Sequence, residues 1–144
     1  MRVTVTSTLQ APIGAVWEKL KQTETLRFVT EGVMTYDTID LPTEWEVGKT
    51  INLRPRLWGK PQGDHFVTVI SRSDDEHKIV THEKGGSVTK WNHTMQLLED
   101  YPGECRLVDT IDIEAGWQTL LIWFFAQNFY HHRHRRWQQL ITTP

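Results

Sequence analysis

Residues 117–141, WQTLLIWFFAQNFYHHRHRRWQQLI, contain neither proline nor glycine, and Gly116 stands immediately before them. Trp117, Leu120, Trp123, Phe125, Phe129, Trp137 and Leu140 trace an apolar pattern that grades into a basic one. About 24 residues at 1.5 Å each make a single helix of about 36 Å, long enough to span a small domain. Most of the remaining chain reads as strands, and strands with an apolar face need something to wrap around. The segment is therefore the organising element, and the expected arrangement is a curved sheet around a long C-terminal helix. A sheet and a helix that meet at an angle leave a wedge of space, which points to a small-molecule cavity.

Outward from this helix the periods are clear. Residues 2–9 alternate, with Val3, Val5, Ser7 and Leu9 on one face, as in a half-buried strand. Pro12 then suits the first turn of a helix, and Ile13, Val16, Trp17 and Leu20 follow at i, i+3, i+4 and i+7. Thr23 is a plausible cap for a second short helix through Val29, which Gly32 ends. Six strands are predicted after it, at 33–38, 50–58, 64–71, 77–84, 88–99 and 104–114, punctuated by Gly59 to Gly63, Gly85-Gly86 and Pro102-Gly103. Pro55 suggests an edge or a bulge within the second of these. The fold class is α+β, a seven-stranded antiparallel sheet with two short helices between its first and second strands.

A chain of 144 residues has the size of one domain, expected to cover 1–144. With 16 basic against 18 acidic side chains and a formal charge of -2, no global field recruits nucleic acid. A lone cysteine, Cys105, excludes an internal disulfide and a cysteine-based metal cluster, and fits a reducing compartment. No hydrophobic signal core follows Met1, and the longest apolar stretch, 120–126, is far shorter than a membrane span. The expectation is a cytoplasmic protein with no stable membrane insertion, no metal and no cofactor.

The polar residues that interrupt apolar faces carry the functional reading. In 88–99, Trp91, His93, Met95 and Leu97 share a face; in 104–114, Cys105, Leu107, Asp109, Ile111 and Ile113 share one. If 99–103 form the turn, Leu97 faces Cys105, Met95 faces Leu107, and His93 falls opposite Asp109, with Cβ atoms about 5 Å apart. The pair either satisfies itself in a buried network, positions a ligand, or works as a base and its orienter. A turn at Gly85-Gly86 pairs Val80 with Trp91 and His82 with Thr89, so His82 either joins the cavity wall or faces solvent. Arg54 and Arg56 either meet an anionic head group at the cavity mouth or form a solvated face. The run from His131 to Arg136 reads as a solvated helix face that complements the helix dipole. His131 and His134 are neighbours on a helix, but with no carboxylate within a turn they make a poor metal site. Trp117 to Phe125 is apolar around almost the whole helix, so it is either covered by the short helices and loops, or it mediates a homodimer or touches a lipid surface.

The opening strand followed by Ala11-Pro12 and Val16-Trp17-Leu20, the hairpin series, and the closing Phe129, Arg133, Trp137, Leu140 pattern resemble the START-like, or Bet v 1-like, helix-grip superfamily. Its bacterial members include polyketide cyclase-like (SRPBCC) and lipid-transfer proteins. The resemblance implies a hydrophobic ligand cavity between the sheet and the long helix, and carries no common catalytic motif. The expected function is binding or transport of a hydrophobic small molecule. Trp91, His93, Met95, Asp109, His82, Leu107, Ile111 and Phe129 are the expected ligand-binding residues. The alternatives are an aromatase/cyclase-like enzyme with His93 as base and Asp109 as orienter, and a co-chaperone- or toxin-like interaction module.

Overall fold

The computed structural model describes residues 1–142. In chain order its elements are β1 (Arg2–Leu9), α1 (Ile13–Leu20), α2 (Thr25–Thr30), β2 (Met34–Tyr36), β3 (Thr50–Asn52), β4 (Pro55–Leu57), β5 (Lys60–Pro61), β6 (Phe66–Ser73), β7 (Lys78–Gly85), β8 (Val88–Tyr101), β9 (Glu104–Glu114), a 3-10 turn (Gly116–Gln118) and α3 (Thr119–Thr142). The main sheet is antiparallel with six strands in the order β1-β9-β8-β7-β6-β3. The long helix α3 packs on β1, β9 and α2.

The expected seventh strand is absent from this sheet because residues 50–58 do not form one strand. Arg54 has a left-handed φ of 47°, and Pro55 has no N–H to offer a ladder. The chain therefore turns after β3. Beyond the turn, β4 pairs with β2 and β5 in a separate three-stranded sheet, with Tyr36 opposite Pro55 and Met34 opposite Leu57.

Two hairpin registers also differ from expectation. Between β8 and β9 the turn tightens to Pro102-Gly103, with Tyr101 opposite Glu104 and an irregularity between Glu99 and Tyr101. Leu97 consequently faces Leu107, Met95 faces Asp109, and His93 faces Ile111. This slip of two residues preserves which face each side chain occupies, since the side-chain period of a strand is two. Between β7 and β8 the turn is Gly86-Ser87, again with an irregularity, and Thr81 pairs with His93 and Glu83 with Trp91. Here the shift is odd and the face changes: Ile79, Thr81 and Glu83 point inward, while His82, opposite Asn92, is exposed.

Two apolar clusters hold the sheet to its covers. One joins Leu9, Val16, Trp17, Leu97, Leu107 and Trp137 beneath α1 and α2. The other joins Val3, Val5, Ile111, Ile113, Ala126, Phe129 and Tyr130 beneath α3. Cys105 is buried within the first cluster. The free edge of β1 is covered by α3: Trp123 Nε1 and Gln138 Nε2 donate to the carbonyls of Arg2 and Thr8 at 2.8 and 2.6 Å, which occupies groups that an open edge leaves available for strand addition. His132 and Arg136 tie α3 to α2 through the carbonyls of Glu31 and Phe28. At the N-terminal end of α3 this cover stops. Trp117, Leu120, Leu121 and Phe124 are exposed, Trp117 at 90%, so neither the short helices nor the loops enclose them. No helix among the described residues is long and apolar enough to cross a membrane.

Gly85 is fixed by packing at the end of β7. A Cβ there would lie 2.4 Å from the Asp64 carbonyl oxygen and 2.9 Å from His65 Cα, atoms of backbone that move only with the whole segment. Gly85→Ala is expected to cost about 1–3 kcal/mol through overpacking. Gly14 in α1 meets nothing within 4 Å, so Gly14→Ala is expected to be neutral or stabilising by up to about 1 kcal/mol. Urea denaturation of the two variants checks the contrast, and equal effects would contradict it.

Candidate functional site

Because α3 lies chiefly over β1 and β9 and meets β8 through Tyr130, most of the inner face of β6 and β7 and part of that of β8 lie beyond it. The space above them is a cavity of about 870 Å³, within the range of about 300–1,000 Å³ common for small-molecule sites. Val67, Trp91 and Met95 from the sheet form one wall, and Ile122, Phe125, Phe129 and Trp137 from α3 form another. Leu26 and Val29 of α2, Met34 and Tyr36 of β2, and Trp45 and Leu53 close the sides. Trp58, Leu121 and Phe124 line it as well and are exposed, so they mark its mouth, together with the Gly85-Gly86-Ser87 turn.

Polar groups gather around His93 and Tyr130 on the wall. Asp109 is almost fully enclosed and has both oxygens occupied: Oδ1 accepts from His93 Nε2 at 2.6 Å, and Oδ2 from His134 Nε2 at 2.7 Å. His134 Nδ1 in turn lies 2.7 Å from Ser7 Oγ on β1. On its other side His93 presents Nδ1 to Tyr130 Oη at 3.4 Å and to Glu83 Oε2 at 3.8 Å. Tyr130 Oη also accepts from Trp91 Nε1 at 3.3 Å. Glu83 Oε1 accepts from His65 Nε2 at 2.9 Å, and Oε2 from the Thr81 hydroxyl at 3.0 Å.

The electrostatics follow from these contacts. Burial alone would raise the Asp109 carboxyl, but the charge of His93 and the hydrogen bonds from His134 and His93 outweigh it and hold the group well below the usual carboxylate range. Glu83 is lowered in the same way, burial being overcome by His65 and His93. For His93, burial disfavours the charged form, yet Asp109, through its charge and hydrogen bond, and Glu83 raise the pKa above its ordinary value. Such surroundings favour the protonated ring over the neutral one, which works against a role as proton acceptor. The position of His93 suits a charged donor that orients Tyr130, whose phenol is pushed up chiefly by burial and so keeps its own proton.

Of the residues singled out from sequence, Trp91, His93, Met95 and Phe129 line the cavity. Asp109 stands one layer behind, in contact with His93. Leu107 and Ile111 are fully buried in the two apolar clusters that join the sheet to its helices. His82 is on the outer face, as the β7 register requires. Arg56 pairs with Asp37 at 2.7 Å, and Arg54 is exposed. The basic run is not one solvated face: His131 and Arg135 are exposed, whereas Arg133 and His134 are buried. His131 and His134 therefore do not meet.

Sequence reasoning passed over Glu83 and Tyr130, and read Arg133 and His134 as part of a solvated basic run, not as members of the site. A signal was present for three of them. Ala126, Tyr130 and His134 are spaced by four, and Phe129, Arg133 and Trp137 likewise, which places all six on the apolar side of one helix.

No family model matches the sequence, and no curated protein matches it. Solved structures do resemble it. A START superfamily protein from Mycobacterium smegmatis superposes with a TM-score of 0.71 at 13% identity, over 96% of this chain and 94% of that one. Norcoclaurine synthase from Thalictrum flavum superposes with a TM-score of 0.74 at 10% identity, over 98% and 86%. The fold is the START-like, Bet v 1-like helix grip. A protein from Mesorhizobium loti shares the same grip from end to end, with a TM-score of 0.75 at 14% identity and full coverage of both chains. At these identities the likeness extends to the arrangement of sheet and helix, and this chain's own side chains decide what its grip holds.

Asp109→Asn tests the network. Removing the charge that holds the His93 proton is expected to cost about 3 kcal/mol at pH 6. The folded-state pKa of His93 is raised, so its stabilising contribution is complete below its unfolded value of about 6.5 and is lost as pH rises through the folded value. The gap between wild type and variant should therefore narrow between pH 6 and pH 9. Urea denaturation at both pH values measures it; a gap independent of pH would show that His93 is not held charged by Asp109.

Proposed function

We propose that the protein binds or carries a hydrophobic small molecule in the cavity between its sheet and α3. The observation that carries this reading is the cavity itself: about 870 Å³, walled chiefly by apolar and aromatic side chains from every layer of the fold and open at one end. A space of that size and lining, left unfilled by the chain, is a poor use of apolar surface unless something else occupies it. The mouth supports the same reading. Trp58, Leu121 and Phe124 expose apolar surface where an apolar ligand would leave water. Norcoclaurine synthase, in complex with dopamine and hydroxybenzaldehyde, supports the reading by holding small aromatic molecules on the same fold.

The roles divide by layer. Trp91, Met95 and Phe129 supply contact area. Asp109 holds His93 and His134 in place from behind, and the ordered Trp91, His93 and Tyr130 give the wall a fixed polar point against which a ligand is oriented. The saturated hydrogen bonding of His93 favours this positioning role over proton abstraction.

Fluorescence titration with N-phenyl-1-naphthylamine, a neutral apolar probe, tests the reading. Saturable binding at one probe per chain is expected. Met95→Trp, which places a larger side chain in the cavity, should weaken it at least tenfold while the circular dichroism spectrum is retained. Absence of saturable binding to the wild type, or equal binding by the variant, would remove the cavity as the site.

A further inference from the structure

Arg133 lines the cavity and takes no hydrogen bond in the network around Asp109. It projects from α3 into the cavity and is 92% buried, with 8% of its surface exposed. Its guanidinium lies over the ring of Tyr130 at 4.8 Å and near that of Phe129 at 5.9 Å. Aromatic faces stabilise the charge of a guanidinium but accept none of its in-plane N–H groups in the way an oxygen does. Among the described residues no atom accepts a hydrogen bond from Arg133, and its Nε is fully enclosed without a partner.

The neighbouring carboxylates do not fill the gap. Both oxygens of Asp109 are taken by His93 and His134, and both oxygens of Glu83 by His65 and Thr81. Neither acid comes within 4 Å of the guanidinium as an ion pair. They balance its charge through space and leave its donors empty. Nε is enclosed without an acceptor, which is costly for a protein to maintain for its own stability, while the two terminal nitrogens keep surface open to the cavity and have no protein acceptor. The planar guanidinium matches geometrically one group above others, the paired oxygens of an acid.

Tyr130 adds a second donor at the same place. Its oxygen accepts from Trp91 Nε1 and lies 3.4 Å from His93 Nδ1; with Nδ1 donating there, the hydroxyl proton is free to point into the cavity. The cavity thus combines apolar walls with two donors on adjacent turns of one face of α3.

Resting on the reading of the cavity as a binding site, we infer that its ligand is an apolar molecule carrying a carboxylate, and that Arg133 receives the acid group. The hydrocarbon part lies along Trp91, Met95 and Phe129 toward the mouth, and the acid oxygens accept from the guanidinium and from Tyr130. Neutral apolar molecules still fit the walls and bind there, but they leave the guanidinium without acceptors, so the site takes the acid in preference to its neutral counterpart.

The probes are 11-(dansylamino)undecanoic acid and its methyl ester, which differ only in the acid group. Wild type is expected to bind the acid at least tenfold more tightly than the ester. Arg133→Met should weaken the acid tenfold or more and change the ester by less than twofold, with Arg133→Lys falling between wild type and Arg133→Met for the acid. Circular dichroism and thermal melting establish that each variant is folded, and if Arg133→Met does not fold, the acid-to-ester ratios of wild type and Arg133→Lys decide the matter. If wild type binds both probes equally, or if Arg133→Met weakens both alike, the acid preference is overturned while the cavity remains a binding site. If neither probe binds wild type, the cavity reading falls and this inference with it.

Discussion

A single buried carboxylate, that of Asp109, ties the sheet of this protein to its helix. An isolated carboxylate in such a place would be expelled or protonated, since loss of hydration is far costlier than any one hydrogen bond repays. Here each oxygen accepts from a different histidine, one on β8 and one on α3. From these two the contacts continue to Ser7 on β1 and to Tyr130 and Trp91 beside the cavity. The network is worth keeping only if all of its members are in place. It therefore constrains the β8–β9 register and the rotation of α3 together: turning α3 by one residue would carry His134 away from Asp109 and leave a charge buried with an empty oxygen. The apolar clusters on either side supply cohesion, and the carboxylate selects one arrangement among those that would bury similar area.

The same placement of α3 creates the cavity. A helix of 24 residues held against β1 and β9, and tied by Trp123 and Gln138 to the β1 edge, lies to one side of a six-stranded sheet. The strands β6 and β7, and the part of β8 beyond Tyr130, have nothing of comparable length to cover them. α2 and the small sheet of β2, β4 and β5 enclose the sides of this space without filling it. The departure of β2 from the main sheet thus has a consequence for the site, because it turns what would have been a seventh strand into part of the cavity wall.

The chain's alternation was sufficient to place β1, β8 and β9 and their faces, and the long unbroken helical run was sufficient to predict a sheet wrapped around it. Pairing of His93 with Asp109 was also readable, since parity survives an even slip in register. Register itself was not readable. Period-two patterns say which face a residue occupies and are silent about which neighbour it meets, so the irregularities near Tyr101 and Gly85 decided the pairings. At the second of these the slip was odd, and it exchanged His82 for Glu83 on the inner face. Residues 50–58 misled for a local reason, as the left-handed Arg54 before a proline ends a ladder that composition alone would continue. The basic run at 131–136 misled because charge density suggested solvent, whereas the spacing of Arg133 and His134 from Phe129 and Tyr130 already placed them on the buried side.

Buried polar groups in this protein fall into two kinds, and the difference is informative. Asp109 and Glu83 have both oxygens engaged, and His93 and His134 are held between partners, so their electrostatics are closed within the chain. Such groups resist change, because disturbing one leaves another uncompensated. The guanidinium of Arg133 is of the other kind, with its charge balanced at a distance and no protein acceptor for its donors. If its purpose were only to offset the two acids, a direct ion pair would do so better, and the histidines would not be needed to saturate them. Asp109 stands behind the wall, Glu83 lines it with both oxygens already engaged, and the cation is the member left facing the cavity without an acceptor. That division assigns cohesion to the closed network and recognition to the open group, with Tyr130 touching both, and it explains how an apolar cavity acquires a preferred orientation for what it holds.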